Sequence, residues 1–204
     1  MNKAVIFDLD GVLIDACEWH YFTLNSALQE LYNYTIPEDE HNTLYNGLPT
    51  RTKVNMLINH GKLASTVDVE LIQKTKEQHI INYIKNHVTI DIDKQNLIMY
   101  LKWKGFKIGC YTNQSNNDMC ELFLRTAGLY HLFDAIVNAS MVNQSKPHPE
   151  GYLLCMNKLE STPESTIIIE DSPYGIQAAK SSRARVIEVP NAQSVTLKYI
   201  RGLI

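Results

Sequence analysis

Two aspartates near the start of the chain have the spacing of a reactive acidic pair. Asp8 and Asp10 are separated by one residue and followed by Gly11, directly after the apolar run 4–7. An apolar run that ends in charge and glycine is typical of a buried strand. Two acids at one strand end repel each other unless a cation or a shared proton compensates them. The pair therefore indicates cation binding or acid–base chemistry, with a simple turn cap as the alternative.

Polar side chains also follow three later apolar runs, at or just beyond the point where each run ends. These side chains are Thr112, Asn113, Lys146, Glu170 and Asp171. In an open parallel α/β sheet, the carboxyl ends of the strands share one edge, and ligands gather there. We therefore expect these residues to lie close to the acidic pair.

This set of side chains suits Mg²⁺. The ion prefers oxygen ligands and is typically held by one or two carboxylates together with water. Asp8 and Asp171 can supply those carboxylates. Glu170 is either a further ligand or an outer-sphere partner, and the sequence leaves both alternatives open.

The same set suits phosphoryl transfer. A metal-bound carboxylate such as Asp8 can attack phosphorus and form an aspartyl-phosphate. Lys146 and Thr112 can then balance the charge on the phosphoryl oxygens. Asp10, two residues from Asp8, can give a proton to the leaving group.

The elements that must position these residues alternate between strand and helix. Apolar runs predict strands at 4–7, 106–111, 135–138, 165–169 and 185–189, with helices at 94–104, 116–127 and 149–159, a further one through Ala178 and Ala179, and a last one from Ser194. Such alternation predicts parallel βαβ units with right-handed crossovers.

Residues 15–88 show helical spacing of apolar side chains and no convincing strand. We predict helices at 15–32, after Pro37, from a Thr50 or Thr52 cap to near Gly61, and from Asp68 onwards. The predicted fold is therefore α/β: a doubly wound parallel-sheet (Rossmann-like) core formed by residues 1–14 and 89–204, with an inserted all-α cap domain at 15–88.

Four segments of the chain resemble, in order and spacing, the motifs of the haloacid dehalogenase-like hydrolases. The segments are Asp8-Leu-Asp10-Gly11-Val12, Thr112-Asn113, Lys146-Pro147-His148-Pro149 and Glu170-Asp171-Ser172. The resemblance is closest to the subgroup with a helical cap after the first motif, which contains β-phosphoglucomutase and many small phosphatases. It extends over essentially the whole chain.

The resemblance implies a role for each motif residue. Asp8 is expected to be the nucleophile, and Asp10 the general acid/base whose backbone carbonyl also binds Mg²⁺. The expected phosphate-binding residues are Thr112, Asn113 and Lys146. Glu170 and Asp171 are expected to complete the metal site. Family members that cleave carbon–halogen or carbon–phosphorus bonds typically lack the second acid, so Asp10 favours phosphomonoester chemistry.

Two residues of the predicted cap domain are candidate substrate contacts by the same resemblance. His20 stands ten residues after Asp10, where β-phosphoglucomutase also has a histidine near its active site. Arg51 follows the loop 47–49, where related caps carry specificity residues. The alternatives are a core histidine and an ordinary surface arginine.

Hydrolysis and mutase action share the aspartyl-phosphate and differ in what attacks it next. The segment after Thr112-Asn113 lacks the lysine that the mutase has at this place. The loop from Gly47 to Arg51 is one residue longer than the corresponding loop of the mutase. Both departures favour a phosphatase that acts on a small phosphorylated metabolite, with sugar phosphates preferred. A phosphomutase is the first alternative. The second is a non-catalytic phospho-accepting module like a receiver domain, which the inserted segment disfavours.

Composition excludes several other classes of protein. The net charge of −3 shows no excess of basic residues of the kind that binds nucleic acid. No apolar run approaches the roughly 20 residues that span a bilayer. The N-terminus lacks the pattern of a secretory signal, and four cysteines are scattered without metal-binding spacing. We expect a cytoplasmic monomer that binds a small phosphomonoester and neither nucleic acid nor membrane.

Overall fold

A computed structural model gives the fold of the chain. It describes residues 2–204, without the side chains of residues 17, 18 and 85–87. The chain divides into two units. Ala16–His87 forms a helical unit, and the segments on either side of it form an α/β unit.

The α/β unit is built on a parallel sheet. In the described part of the chain its strands are β1 (Lys3–Phe7), β2 (Phe106–Thr112), β3 (Ala135–Asn138), β4 (Thr166–Glu170) and β5 (Arg185–Glu188). They lie in the order β3-β2-β1-β4-β5, and every neighbouring pair is parallel. β1 is central, and its residues 4–7 are fully buried, as expected for an unbroken apolar run. The predicted α/β class is confirmed.

The helical unit contains no β-strand among its described residues. Its helices are α1 (Cys17–Tyr32), α2 (Glu38–Glu40), α3 (Thr50–Asn59) and α4 (Val69–His87), with a π-helix at His41–Tyr45 between α2 and α3. Apolar side chains spaced three or four residues apart on these helices form one core, which includes Leu24, Leu28, Tyr45 and Val54.

Several predicted helix starts are shifted: the helix predicted from residue 15 begins at Cys17, and the helix predicted from residue 94 begins at Ile92. Two further starts differ because other residues cap the helices. Neither Thr50 nor Thr52 caps α3. The N-cap is Pro49, whose φ of −58° and ψ of 147° are not helical, so α3 begins at Thr50. Thr50 is the first helical residue, and its Oγ1 accepts a hydrogen bond from Lys76 Nζ at 2.9 Å. The last helix does not begin at Ser194, because Thr196 caps it through a 3.2 Å hydrogen bond from the backbone N–H of Tyr199.

α-Helices alternate with the strands of the α/β unit along the chain. They are α5 (Ile92–Trp103), α6 (Asn117–Thr126), α7 (Glu150–Lys158), α8 (Pro173–Ser181) and α9 (Leu197–Arg201). α7 contacts β2 and β3, and α8 contacts β4 and β5. The loops before α7 and α8 follow β3 and β4, so both loops lie at the carboxyl end of the parallel sheet.

Two further expectations concern the cysteines and the membrane. Cys110, Cys120 and Cys155 are buried free thiols, whereas the side chain of Cys17 lies outside the described residues. Across the described residues, every helix is too short or too polar to cross a bilayer.

Candidate active site

The carboxyl ends of three neighbouring strands carry the predicted site residues. β1 pairs in parallel register with β2 on one side and β4 on the other. Asp8 follows β1 directly, Thr112 is the last residue of β2, and Glu170 is the last residue of β4. The sheet therefore brings together residues that are far apart in the sequence.

Lys146 bridges two of the carboxylates at this edge. Its Nζ lies 2.5 Å from Asp8 Oδ1 and 2.5 Å from Glu170 Oε1. The three side chains are at most 7% exposed. Because buried charges are poorly screened, the ammonium and the two carboxylates interact much more strongly than a surface pair would.

The charges in this cluster shift the pKa values of its members. Burial and then repulsion from Glu170 raise the pKa of Asp8 well above its ordinary value. Burial and then Glu170 raise the pKa of Asp171 to about 7. Burial lowers the pKa of Lys146, but the charges of Asp8 and Glu170 outweigh this and raise it overall. If all of these carboxyls were ionised, they would carry more negative charge than Lys146 neutralises.

Both oxygens of Glu170 are saturated with hydrogen bonds. Oε1 accepts from Lys146 Nζ and, at 2.9 Å, from the Tyr152 hydroxyl. Oε2 accepts from the backbone N–H groups of Asp171 and Ser172 at 2.8 and 2.9 Å, and from the Ser172 hydroxyl at 3.2 Å. A carboxylate offers about four lone-pair positions, so Glu170 has little capacity left for a metal ion.

Asp171 is pressed against the loop that follows Asp10. A Cβ at Gly11 would lie 2.1 Å from Asp171 Oδ2, and the φ of Gly11 is +92°. A side chain at position 11 is therefore excluded both by space and by backbone conformation. Oδ1 of Asp171 is buried and has no hydrogen-bond partner among the described residues.

The carboxylates of this cluster fit a divalent cation. Asp8, Glu170 and Asp171 each offer an oxygen, and these atoms lie within 4.8 Å of one another. Mg²⁺ is bound by such oxygen ligands. Burial and then repulsion between the carboxylates raise the pKa values of Asp8 and Asp171, and a bound cation would offset both effects.

The second aspartate of the first motif meets Thr112 at the same edge. The Thr112 hydroxyl lies 3.5 Å from Asp10 Oδ2, and its oxygen accepts a 3.0 Å hydrogen bond from the backbone N–H of Gln114. Thr112 does not cap the following helix, because Asn116 does so by accepting from the backbone N–H of Met119. Its hydroxyl is fully buried beside Asp10.

Asn113 holds the backbone of the lysine. Its Oδ1 accepts from Lys146 N at 3.0 Å, and its Nδ2 donates to Lys146 O at 3.4 Å. The side chain therefore joins the end of β2 to the loop that carries Lys146. Its predicted contact with phosphate stays a prediction.

His20 and Arg51 belong to the helical unit. His20 lies on α1, and Arg51 on α3 forms an ion pair with Glu70 of α4. The side chains of Arg51 and Glu70 are 55% and 71% exposed, so water screens this pair. That either His20 or Arg51 contacts substrate stays a prediction.

Two residues that support the cluster were not foreseen from the sequence. Tyr152 has the spacing of an ordinary core residue of α7, and no sequence signal separates it from one. Gly175 lies within the segment that follows Glu170, and a Cβ there would lie 1.7 Å from Glu170 Oε1. The glycine at this position was the available signal, because the close approach of Glu170 to the backbone leaves no room for a side chain.

Comparison with known proteins identifies the family. The family model described as haloacid dehalogenase-like hydrolase matches residues 5–189. The chain belongs to the haloacid dehalogenase-like hydrolases. The predicted family and the prediction of an enzyme of its phosphatase type are confirmed.

Individual relatives cover most of the chain. A phosphorylated carbohydrates phosphatase from Thermotoga maritima is 30% identical over 182 residues, which are 88% of this chain and 81% of the relative. A β-phosphoglucomutase from Bacillus subtilis is 27% identical over 199 residues, covering 94% and 84%. The crystal structure of CbbY from Rhodobacter sphaeroides in complex with phosphate has a TM-score of 0.82 at 24% identity, covering 94% and 87%, and shows the shared fold.

Proposed function

We propose that this enzyme is a Mg²⁺-dependent phosphomonoester hydrolase that acts through an aspartyl-phosphate on Asp8. One observation carries the proposal: a buried Asp8 carboxylate contacts a buried Lys146 ammonium within a cluster of further carboxylates. This arrangement combines a nucleophile, a cation for phosphoryl oxygens and a site for a metal ion.

Asp8 and Asp171 would hold Mg²⁺ with their side chains, and Asp10 would hold it through its backbone carbonyl. Glu170 was also predicted as a ligand, but its oxygens already accept five hydrogen bonds. We therefore place Glu170 outside the direct coordination shell, the other alternative that its sequence position left open. When bound, Mg²⁺ supplies positive charge that keeps these carboxylates ionised beside a phosphoryl group.

The first step forms a bond between an Asp8 carboxylate oxygen and phosphorus. The bond between phosphorus and the ester oxygen breaks, and the leaving alkoxide takes a proton from Asp10. Asp8 then carries the phosphoryl group, and the alcohol is released. The position of Asp10 two residues from Asp8, at the same strand end, supports this division of roles.

The second step returns Asp8 to its carboxylate form. Asp10, now ionised, takes a proton from a water molecule as that water attacks phosphorus. The bond between phosphorus and the Asp8 oxygen breaks, and inorganic phosphate leaves. Lys146 and Thr112 would hold the phosphoryl oxygens through both steps, and Asn113 would hold the loop of Lys146.

We propose residues 15–88 as the cap domain that selects the substrate, with 1–14 and 89–204 as the catalytic domain. The substrate class is a small phosphorylated metabolite, with sugar phosphates preferred because a relative is named a phosphorylated carbohydrates phosphatase. His20 and Arg51 are the candidate substrate contacts of this domain. The cytoplasmic location and the monomeric state stay predictions.

The proposal is tested by phosphate release from p-nitrophenyl phosphate and a panel of phosphorylated metabolites. We expect turnover with Mg²⁺, loss of turnover with excess EDTA, and recovery when Mg²⁺ is restored. Sugar phosphates should exceed nucleotides in kcat/KM. A purified, folded protein that releases no phosphate at high concentration would favour a non-catalytic module instead.

A phosphomutase is the second candidate, because the helical unit buries two lysines. Lys53 and Lys76 are 3% and 7% exposed, and a mutase needs cations that hold a second phosphate. A hexose 1-phosphate with a trace of hexose bisphosphate separates the two activities. A mutase would give hexose 6-phosphate, whereas the hydrolase that we propose gives free hexose and inorganic phosphate.

A further inference from the structure

Tyr152 makes two contacts with the charged cluster from inside the core. It lies on α7, is fully buried, and donates its hydroxyl proton to Glu170 Oε1 at 2.9 Å. Lys146 Nζ lies 5.2 Å from the centre of its ring. A cation within about 6 Å of an aromatic face is attracted to it. One side chain therefore touches both Lys146 and the carboxylate that holds Lys146.

Tyr111 completes the aromatic surroundings of the lysine. Its ring centre lies 5.1 Å from Lys146 Nζ, and its ring packs edge-on against Tyr152 at 4.9 Å and 85°. Gly151 makes this packing possible, because a Cβ there would lie 2.0 Å from the Tyr111 ring. Two rings and two carboxylates thus enclose the Lys146 ammonium.

Enclosure matters because a lysine has little geometric preference of its own. Its ammonium is a point charge on a flexible four-carbon chain. Its location is therefore set by its surroundings. The Tyr152 hydroxyl also shares Oε1 of Glu170 with Lys146, so it weakens the pull of Glu170 on the ammonium.

We propose that Tyr152 is a positioning residue of the phosphoryl-transfer site: its hydroxyl restrains Glu170 and its ring supports Lys146, so that the ammonium stays available to phosphoryl oxygens beside Asp8. This role rests on the proposed function. Without the hydroxyl, Oε1 would interact with Lys146 alone, and Glu170 would hold the ammonium more strongly in competition with the phosphoryl oxygens.

The experiment compares Tyr152→Phe with Tyr45→Phe. Tyr45 is an equally buried tyrosine that donates to a carboxylate, Glu40 Oε1, at the same 2.9 Å, but it lies in the helical unit. Removing a hydrogen bond to a charged group costs about 1.5 kcal/mol or more, close to tenfold in an equilibrium constant. Both variants should lower the melting temperature by similar amounts.

Activity should separate the two variants. With p-nitrophenyl phosphate, Tyr152→Phe should lower kcat by about tenfold, and orthovanadate, a phosphoryl mimic, should inhibit it about tenfold more weakly. Tyr45→Phe should keep wild-type values for both. Equal vanadate inhibition in the wild type and Tyr152→Phe would overturn the role.

A double mutant tests whether Tyr152 acts through Glu170. In a Glu170→Gln background, Tyr152→Phe should cause no further loss of vanadate binding, because the shared carboxylate is gone. A full, additive loss would instead indicate an independent structural effect and overturn the role. If wild-type protein releases no phosphate, the proposed function itself fails. If the wild type is active and Tyr152→Phe matches it, the positioning role alone fails.

Discussion

Asp8 and Glu170 share one ammonium: Lys146 Nζ lies 2.5 Å from an oxygen of each, although Asp8 follows β1 and Glu170 ends β4. β1 and β4 are paired neighbours, so their carboxyl ends hold these acids side by side. Removing the shared cation would leave two buried like charges facing each other. The lysine therefore contributes to stability as well as to the proposed chemistry.

Lys146→Met should lower the free energy of unfolding by about 3–5 kcal/mol, since breaking a buried ion pair leaves an uncompensated charge. Urea denaturation without Mg²⁺ measures this. The matched control is Lys180→Met, which breaks the surface pair with Glu188 at 2.6 Å, where the side chains are 62% and 49% exposed. That change should cost at most about 1 kcal/mol. Equal losses in the two variants would contradict a tightly coupled buried cluster.

Gly11→Ala should abolish turnover and destabilise the fold more than Gly61→Ala. Both glycines have a positive φ, of +92° and +70°, so both substitutions strain the backbone by about 1–2 kcal/mol. A Cβ at Gly61 meets nothing within 4 Å, whereas one at Gly11 meets Asp171 Oδ2 at 2.1 Å. Thermal unfolding and kcat measure the difference. An active, equally stable Gly11→Ala protein would argue against the close approach of Asp171.

Asp10→Asn should affect substrates according to their leaving groups. General acid catalysis is typically worth about 10²–10⁴ in rate, and a sugar alkoxide needs a proton far more than a nitrophenolate does. We expect kcat/KM to fall by about that factor for a sugar phosphate and by much less for p-nitrophenyl phosphate. Steady-state kinetics on both substrates provide the measurement. Equal losses would remove Asp10 from the role of proton donor.

His41→Gln should make stability less sensitive to acid. Burial and then the charge of Lys53 lower the pKa of His41 from 6.5 to about 3. The folded protein keeps this imidazole neutral, while the unfolded chain takes up a proton below pH 6.5. Its contribution is therefore complete above pH 6.5 and is lost as the pH falls towards 3.

The measurement is urea unfolding at several pH values between about 4.5 and 7, a range below and around the ordinary histidine pKa. Wild-type stability should fall relative to His41→Gln by up to about 1.4 kcal/mol per pH unit, the slope for one proton. His60→Gln, at an exposed histidine, is the control and should follow the wild type. Parallel curves for wild type and His41→Gln would contradict a buried neutral His41.

Strand runs and motif positions could be predicted from the sequence because each depends on local residue types. The segment 135–138 was predicted as a strand and β3 has those bounds, since a short, mostly apolar run between two helices is typical of a buried strand. Helix starts were less predictable. Pro49 and Thr196 determine where α3 and α9 begin, and each competes with other acceptable caps nearby.

The supporting contacts of the site could not be predicted, because they depend on which residues distant in the chain become neighbours. Nothing near Tyr152 in the sequence indicates that its hydroxyl faces Glu170, 18 positions away. Similarly, the motif position of Asn113 predicted a contact with phosphate. It gave no sign that the amide group of Asn113 also forms hydrogen bonds with the backbone of Lys146. These side chains are specified by packing between elements rather than by local pattern.

The central claim is that Asp8 carries the phosphoryl group. Asp10→Asn protein is mixed with p-nitrophenyl phosphate and Mg²⁺, quenched in acid and treated with borohydride, which reduces an acyl phosphate to the alcohol. Peptide mass spectrometry should then find homoserine at position 8, and none in the Asp8→Asn/Asp10→Asn protein. An unmodified Asp8 during demonstrated turnover, or reduction at another acid, would contradict the account.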